Sequence, residues 1–231
     1  MRIAGWSGPR NLSTAMMYAF AARGDCDVAD EPFYAAYLDR TGLDHPMRGD
    51  ILDSLPVDPG AVVAGFPVGA PHRYLKLMAG HMLDGMPLDW AADHAHLHLI
   101  RHPARVVASY AAKRDGLTLD DIGYVRQLDL YERFGGTVID SADIRARPEA
   151  TLRAACDALE IPFTERMLSW PAGGHAADGV WSAHWYAAVH RSTGFAAAEG
   201  PLPELDGADA RLAEAAMPYY ERMARDRLSP D

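Results

Sequence analysis

Short apolar runs alternate with segments of helical composition over the first two-thirds of the chain. The apolar runs that predict strands span residues 2–7, 26–29, 74–78, 96–100 and 136–140. The segments that predict helices span residues 13–22, 31–40, 103–113, 148–159 and 208–225. Such a β-α-β-α order favours an α/β fold with a mainly parallel sheet. Residues 170–200 are predicted to be rich in loops, because Trp, His and Gly are frequent there.

The composition fits one globular domain that spans residues 1–231. The chain is 49% hydrophobic, which suffices for a core at this length. No run approaches the roughly 18 apolar residues of a membrane helix, and the N-terminal segment does not read as a secretory signal. The two cysteines, Cys26 and Cys156, are too few for a disulfide framework. These features predict a cytoplasmic protein with no membrane partner.

The net negative charge of the chain disfavours some classes of binding partner. Lys and Arg total 22 against 32 Asp and Glu, so the formal net charge is −10. An acidic body disfavours general binding of nucleic acid or of anionic membranes. It still allows an anionic ligand, provided that a local group of cations holds it. We therefore expect a small-molecule partner and no nucleic acid, and the composition leaves the oligomeric state open.

The first predicted strand is followed by a segment with the chemistry of a phosphate-binding loop. At this point of an open α/β sheet, a helix start presents free backbone N–H groups and a positive dipole end. The candidate nucleotide-binding residues here are Ser7, Gly8, Pro9, Arg10, Asn11, Leu12, Ser13 and Thr14. An ordinary capped strand–helix turn is the alternative. The Gly-Lys pair of ATP-binding loops is absent, which argues against a kinase.

A similar arrangement follows the predicted strand at residues 96–100. That strand runs into Arg101, and Ser109 lies two turns into the next predicted helix. Arg101 is therefore expected at the same edge of the sheet as the first loop. Arg105 lies in the first helical turn, where a cation opposes the helix dipole and hints at a ligand or a carboxylate partner. A solvated surface arginine is the more expected outcome for Arg105.

The two segments together resemble the sulfotransferases that use 3′-phosphoadenosine 5′-phosphosulfate (PAPS). In that family, a Lys or Arg followed by small hydroxyl residues binds the 5′-phosphosulfate, as Arg10, Ser13 and Thr14 would here. An Arg with a Ser eight positions later binds the 3′-phosphate, which matches Arg101 and Ser109. The segments SGPRNLSTAM, EPF, HLIRHP and WYAAVHRSTGF extend the resemblance to a bacterial sulfotransferase-like subgroup over most of the chain.

The resemblance implies a fold and an activity. The fold would be a three-layer α/β/α arrangement with a central parallel sheet, of the P-loop-containing nucleoside triphosphate hydrolase-like class. The activity would be transfer of a sulfuryl group from PAPS to a hydroxyl or amine of a small acceptor, with release of adenosine 3′,5′-bisphosphate (PAP) and no metal requirement. A nucleotide-dependent small-molecule kinase and a non-catalytic PAP-binding or nucleotide-binding module are the alternatives.

Four residues are candidates for catalysis: Arg10, Glu31, Lys76 and His81. Arg10 would stabilise the charge on the leaving phosphate. Glu31 and His81 compete for the role of general base, because related sulfotransferases place a Glu at the first position and others place a His soon after a Lys. Lys76 would either contact the sulfuryl oxygens or pair with an acid at the sheet edge.

The late segment around residues 185–195 resembles a lid over the nucleotide. Its candidate nucleotide-binding residues are Arg191, Ser192, Thr193 and Gly194. Arg191 would meet the 3′-phosphate, and Phe195 or Trp185 would stack on adenine. The family's Gly-x-x-Gly-x-x-Lys pattern is missing, because the chain continues from Gly194 as Phe-Ala-Ala-Ala-Glu-Gly.

Three histidines, His94, His96 and His98, alternate along a predicted strand and so share one face. A zinc site is one interpretation. Buried histidines are preferred, because a strand that leads to Arg101 should be central and covered by helices. Residues 38–53, 116–134 and 170–190 are expected to shape the acceptor pocket. The aromatic residues of these segments are Tyr124, Tyr131, Phe134 and Trp181, which indicate a partly apolar ligand, although core packing explains them equally well.

Overall fold

The computed structural model describes residues 1–114 and 116–229, and within these ranges five parallel strands form one sheet. The strands are β1 Arg2–Ser7, β2 Cys26–Asp30, β3 His72–Met78, β4 Ala95–Ile100 and β5 Thr137–Asp140. Their order across the sheet is β2-β3-β1-β4-β5, and every neighbouring pair is parallel. Parallel neighbours need crossover connections, which the helices supply.

The helices of the described ranges lie between the strands and after them. They are α1 Ser13–Ala22, α2 Tyr34–Thr41, α3 Arg48–Ser54, α4 Pro59–Ala64, α5 Pro103–Ala111, α6 Leu119–Ile122, α7 Tyr124–Phe134, α8 Ser141–Ala146, α9 Pro148–Ala158, α10 Ser182–Trp185, α11 Ala187–His190 and α12 Gly207–Ala224. None of the helices in this described part of the chain combines the length and apolar character needed to cross a membrane.

Helices cover both faces of the sheet. On one face, α1, α8 and α9 pack against Ile3 of β1 and Ile139 of β5. On the other face, α4 and α7 pack against Ala4 of β1, and α5 and α12 pack against Val138 of β5. Successive residues of a strand point to opposite faces, so each strand contributes to both layers of core. The predicted three-layer α/β/α fold with a central parallel sheet is confirmed.

The predicted bounds of β1 and α1 agree with the structure, whereas α2 begins later than predicted. Residues 31–40 have helical composition, but α2 starts at Tyr34. Glu31 has a φ of 43°, a left-handed conformation that does not begin an α-helix. Its N–H donates to the carbonyl of Lys76 at 2.9 Å, which continues the pairing of the strands. The sequence pattern does not predict α3, α4 or α7.

The alternating histidines are buried, as preferred from the sequence. His96 accepts a hydrogen bond from the Trp6 indole at 2.9 Å, and Nε2 of His98 lies 3.0 Å from the Gly135 carbonyl. Burial lowers the pKa of His98 to about 3, so its ring is neutral at pH 7. In the described ranges, no group of three or more His, Cys, Asp or Glu side chains is arranged to hold a metal ion.

Two buried amide side chains fix the loop after β1 against β4. Gln127 of α7 accepts a hydrogen bond from the Gly8 N–H at 3.0 Å and donates one to the Leu99 carbonyl at 2.8 Å. Asn11 also donates to the Leu99 carbonyl, at 3.2 Å. A buried backbone group left without a partner costs about 1–3 kcal/mol, so these bonds hold the loop in one position.

Replacing Gln127 with Leu keeps a similar volume but leaves the Gly8 N–H and part of the Leu99 carbonyl unpaired. We expect Gln127→Leu to lower the free energy of unfolding by about 2–4 kcal/mol, because two buried groups lose a partner. The measurement is urea unfolding, with Glu132→Leu on the exposed face of the same helix as the control. That control should change stability by less than about 0.5 kcal/mol. Equal losses in both variants would contradict the role given to Gln127.

Candidate active site

A cavity of about 320 Å³ opens at the sheet edge where the strands end. Ligands of open α/β sheets bind at this edge. The predicted site residues that line the cavity are Pro9, Arg10, Asn11, Leu12, Ser13, Thr14, Glu31, Lys76, His81, Arg101, Ser192 and Gly194. Residues from both sequence motifs and from the late segment therefore share one cavity.

The loop between β1 and α1 has a strained backbone beside this cavity. Arg10 and Leu12 have φ values of 64° and 63°, in the left-handed region that side chains other than glycine rarely adopt. Such strain costs about 1–3 kcal/mol per residue and clusters at functional sites. The first turn of α1 follows directly, and Ser13 and Thr14 line the cavity there. Unpaired N–H groups of a helix start are suited to an anion.

Arg10 and Arg101 connect the two motifs directly. Nε of Arg10 donates a hydrogen bond to the Ser109 hydroxyl at 2.9 Å, and Nη1 of Arg101 donates to the Arg10 carbonyl at 2.8 Å. Burial lowers the pKa of Arg10, and the charge of Arg101 lowers it further. Two guanidinium groups this close repel each other, so an anion beside both would be stabilised. Nε of Arg101 is buried and finds no acceptor among the described residues.

Lys76 lies at the centre of a buried group of hydrogen bonds. Its Nζ donates to Asp30 Oδ1 at 2.7 Å, to Glu31 Oε1 at 2.5 Å and to the Tyr186 hydroxyl at 2.5 Å. These bonds use all three N–H donors of the ammonium group, and the side chain is 1% exposed. Of the two roles that the sequence leaves open for Lys76, the geometry favours pairing with acids over contact with sulfuryl oxygens. Contact with a sulfuryl group would require one of these bonds to open.

This group carries two carboxylates against one ammonium. Burial opposes the charge on Lys76, but the carboxylates of Asp30 and Glu31 outweigh it and raise the pKa of Lys76. Burial raises the pKa of Asp30, and Lys76 opposes that rise. One carboxylate can therefore take up a proton without leaving the ammonium unpaired. Glu31 lines the cavity and Asp30 does not, so Glu31 is the carboxylate of this group that a bound molecule can reach.

His81 is held between aromatic neighbours beside the cavity. Its ring stacks on Tyr34 and on Tyr37, with centroid separations of 4.6 and 4.7 Å. Burial lowers the pKa of His81 well below its ordinary value, and the charges of His45 and Lys76 lower it further. The imidazole is therefore neutral at pH 7 and is a weak base.

The wall around His81 contains residues that the sequence did not single out. Those that line the cavity are Tyr34, Tyr37, His45, Tyr110, Arg114, Asp120 and Asp121. Arg114 pairs with Asp121 at 3.1 Å and lies 3.2 Å from Nε2 of His45. The other ring nitrogen of His45 lies 3.0 Å from the Tyr34 hydroxyl. The segments 38–53 and 116–134, which the sequence predicts to shape the pocket, contribute His45, Asp120 and Asp121 to this wall. No sequence signal marks its tyrosines, because aromatic residues within helices are equally typical of core.

The aromatic residues predicted for the acceptor pocket lie elsewhere. Tyr124 and Trp181 are buried in apolar clusters, and Phe134 stacks on His96 at 4.7 Å. Tyr131 donates a hydrogen bond to Asp226 at 2.7 Å. None of the four predicted side chains lines the cavity. Of the two interpretations that the sequence leaves open for these residues, packing against neighbouring elements is the one that the structure bears out.

Only some of the residues predicted to bind nucleotide in the late segment, residues 185–195, line the cavity. The ones that line it are Trp185, Ser192, Gly194 and Phe195. Arg191 follows the end of α11 and is exposed outside the lining, so its predicted contact with a 3′-phosphate is not supported. Thr193 is also exposed, and its carbonyl accepts a hydrogen bond from the Trp170 N–H at 3.2 Å. This part of the lid prediction needs correction.

Ser7 and Gly8 lie behind the cavity rather than in its wall. Ser7 is fully buried at the end of β1, and the Gly8 N–H is used by Gln127. The lining begins at Pro9. Both residues therefore support the loop from behind, and neither lines the cavity.

Arg105 is not the solvated arginine that the sequence favours. Its side chain is 17% exposed, and Nε lies 2.9 Å from Oε2 of Glu199. Arg101 donates a hydrogen bond to the same carboxylate. An anionic partner offsets the unfavourable end of the helix dipole. The position of Arg105 in the first helical turn indicated a ligand or a carboxylate partner, and Glu199 is that carboxylate.

Two solved structures share this architecture. The sulfotransferase domain from the curacin biosynthetic pathway aligns with a TM-score of 0.54 and 14% identity, covering 94% of this chain and 97% of that chain. The sulfotransferase domain from the Synechococcus PCC 7002 olefin synthase aligns with a TM-score of 0.50 and 19% identity, covering 93% of this chain and 94% of that chain. The likeness shows a common fold.

Two curated relatives come from Arabidopsis thaliana. They are branched-chain-amino-acid aminotransferase-like proteins 1 and 2, which are 37% and 36% identical to this chain over 228 residues, with 93% of this chain covered. The chain spans 40% of the length of each relative. The model of the sulfotransferase domain family matches residues 1–227, so this chain belongs to that family.

Proposed function

We propose that this chain transfers a sulfuryl group from PAPS to a hydroxyl or amine of a small acceptor and releases PAP. One observation carries the proposal: the two motifs meet at one cavity, with Arg10 bonded to Ser109 and Arg101 bonded to the Arg10 carbonyl. Arg10 and Arg101 thereby form a paired cationic site at the sheet edge. A nucleotide with phosphates at both its 5′ and 3′ positions suits such a site.

The loop after β1 would hold the 5′ end of the nucleotide. Ser13 and Thr14 lie at the start of α1, where free N–H groups and the dipole favour an anion. Arg10 would stabilise the charge that develops on the leaving phosphate. Arg101 and Ser109 would hold the 3′-phosphate, and the unpaired Nε of Arg101 is available for it within the described part of the chain.

Glu31 would act as the general base. PAPS, when bound, supplies the sulfuryl group; the acceptor forms a bond to sulfur as the bond between sulfur and the phosphate oxygen breaks. The acceptor proton goes to Glu31, which Lys76 and Asp30 hold at the cavity wall. Protonation of Glu31 leaves Lys76 still paired with Asp30, so no buried cation loses its partner. Lys76 is thus a positioning residue for Glu31.

The acceptor would lie against the wall around His81. Tyr34, Tyr37 and Tyr110 give this wall apolar surface, and the Arg114–Asp121 pair gives it polar groups. Such a mixed lining is suited to a small, partly apolar molecule. The net charge of −10 disfavours polyanionic acceptors, so a neutral or cationic acceptor is the better expectation.

Nucleotide binding tests the donor directly. We expect PAP to raise the melting temperature more than ADP or ATP does at equal concentration, because ligand that binds only the folded state stabilises it. Arg101→Ala should weaken PAP binding at least tenfold more than it weakens 5′-AMP binding. Both nucleotides lose the support that Arg101 gives to the loop through the Arg10 carbonyl, whereas only PAP also loses a charge-assisted hydrogen bond worth about 1.5–3 kcal/mol. The measurement is isothermal titration calorimetry.

Arg191→Ala is the matched control for this titration, because Arg191 is exposed and outside the cavity. It should bind PAP like the unmodified protein. A larger shift with ATP than with PAP, or an equal loss of PAP and 5′-AMP affinity in Arg101→Ala, would contradict the proposed function.

Turnover with PAPS and a panel of small alcohols, phenols and amines tests the base. Glu31→Gln should lower kcat at least 100-fold and leave PAP affinity within about threefold, because it removes proton acceptance and not nucleotide contacts. His81→Phe keeps the stack with Tyr34 and Tyr37, and should raise the acceptor KM more than it lowers kcat. Asp39→Asn, an exposed change on α2, is the control for charge loss.

The opposite pattern would reverse the assignment: a full kcat in Glu31→Gln with a 100-fold loss in His81→Phe would make His81 the base. Tight PAP binding without transfer to any acceptor would favour a non-catalytic binding module.

A further inference from the structure

Three arginines from three different elements converge on one carboxylate. Arg101 follows β4, Arg105 lies in α5 and Arg145 lies in α8. Nη2 of Arg101 donates to Oε1 of Glu199, Nε of Arg105 lies 2.9 Å from Oε2, and Nη1 of Arg145 lies 2.8 Å from Oε1. We call these three arginines with Glu199 the arginine cluster. Neither Arg145 nor Glu199 was marked by the sequence motifs.

The arginine cluster holds more positive charge than Glu199 neutralises. The Glu199 carboxylate is 4% exposed, and the arginine side chains are 14%, 17% and 21% exposed for Arg101, Arg105 and Arg145. Three guanidinium groups against one carboxylate leave two positive charges without a partner inside the cluster. Burial opposes ionisation of Glu199, but the arginines outweigh it and hold its pKa below the ordinary value. The carboxylate is therefore ionised at pH 7.

A phosphomonoester satisfies this cluster better than a carboxylate does. It carries a charge of about −1.5 to −2 at pH 7 and three strong acceptor oxygens. Arginine forks match phosphate geometry with two parallel hydrogen bonds. The buried Nε of Arg101 has no acceptor in the described residues, so one donor of the cluster is free even with Glu199 in place.

The segment that carries Glu199 is attached to the protein mainly through the same arginines. Residues 196–204 form no helix or strand. Within the described part of the chain, their hydrogen bonds are all accepted from the arginine cluster: Arg145 donates to the Ala197 carbonyl at 2.8 Å, and Arg105 donates to the Gly200 carbonyl. Ala196, at the start of this segment, lines the cavity, as does Phe195 just before it. Its departure would therefore break few other contacts.

We propose that Glu199 is an internal substitute for a phosphomonoester, and that the 3′-phosphate of the nucleotide displaces it from Arg101, Arg105 and Arg145. This inference rests on the proposed function, because it assigns Arg105 and Arg145 to the same nucleotide site. The acid of this segment then competes with the ligand for the same arginines. Glu199 thereby sets the specificity of the site: it excludes ligands whose charge is too low to displace it.

Competition of this kind has a measurable size. If Glu199 occupies the arginines in most molecules, only the remaining fraction can bind the 3′-phosphate. The apparent Kd for PAP is then the intrinsic Kd divided by that fraction, so PAP binds more weakly than the open site would allow. Removing the charge of Glu199 should therefore strengthen PAP binding. A nucleotide that has only a 5′-phosphate binds at the loop after β1 and does not displace Glu199, so its affinity should not change.

The test is calorimetric titration of Glu199→Gln with PAP and with 5′-AMP. We expect PAP to bind Glu199→Gln at least tenfold more tightly than the unmodified protein, with 5′-AMP within about twofold. Glu204→Gln is the matched control, an exposed acid in the same region, and should bind both nucleotides like the unmodified protein. In the Glu199→Gln background, Arg145→Gln should weaken PAP binding at least fivefold and leave 5′-AMP binding unchanged.

Digestion of the unmodified protein by a glutamate-specific protease gives a second measurement that needs no variant. We expect cleavage after Glu199 to be faster when PAP is bound and to be unaffected by 5′-AMP, because the Glu199 side chain is 4% exposed while the arginines hold it. Equal or weaker PAP binding by Glu199→Gln, an equal gain for both nucleotides, or unchanged cleavage after Glu199 with PAP would each overturn the inference and leave the proposed function standing. If the unmodified protein binds no PAP, the proposed function and this inference both fail.

Discussion

The hydrogen bond from Arg101 to the backbone carbonyl of Arg10 joins the two segments on which the site depends. β1 and β4 are parallel neighbours, so both loops leave the sheet at one edge. Buried polar side chains then lock them together: Ser141 donates to the carbonyls of Asn11 and Ile100 at 3.0 and 2.9 Å. The strained φ values of the first loop persist because these bonds over-determine its path.

Two groups of opposite net charge reach the cavity, one through Arg101 and the other through Lys76 and Glu31. The arginine cluster has an excess of two positive charges, whereas the group of Lys76, Asp30 and Glu31, with both carboxylates ionised, has an excess of one negative charge. An anionic donor and a proton-accepting base need opposite local fields, which these two groups would supply. The chain has a net charge of −10, which repels a nucleotide, so a local group of positive charges is needed to bind one.

Local patterns predicted the fold and the two loops well, because strand order alone carries Arg10 and Arg101 to one edge. They did not predict Arg145 or Glu199 at this site, since that contact joins residues 54 positions apart through a segment without regular structure. The pattern also left undecided which aromatic residues face the cavity: Tyr34 and Tyr37 reach it, while Tyr124 and Trp181 pack into the core. Which face of a short helix meets a cavity depends on tertiary packing, which spacing does not encode.

The most direct test of the account is an experimental structure with PAP bound. The account predicts the 3′-phosphate within hydrogen-bond distance of Arg101 and Ser109, the 5′-phosphate against the loop at Arg10 and Thr14, and the Glu199 carboxylate away from the arginines. A nucleotide bound outside this cavity, or in it with its phosphates remote from Arg10 and Arg101, would contradict the account.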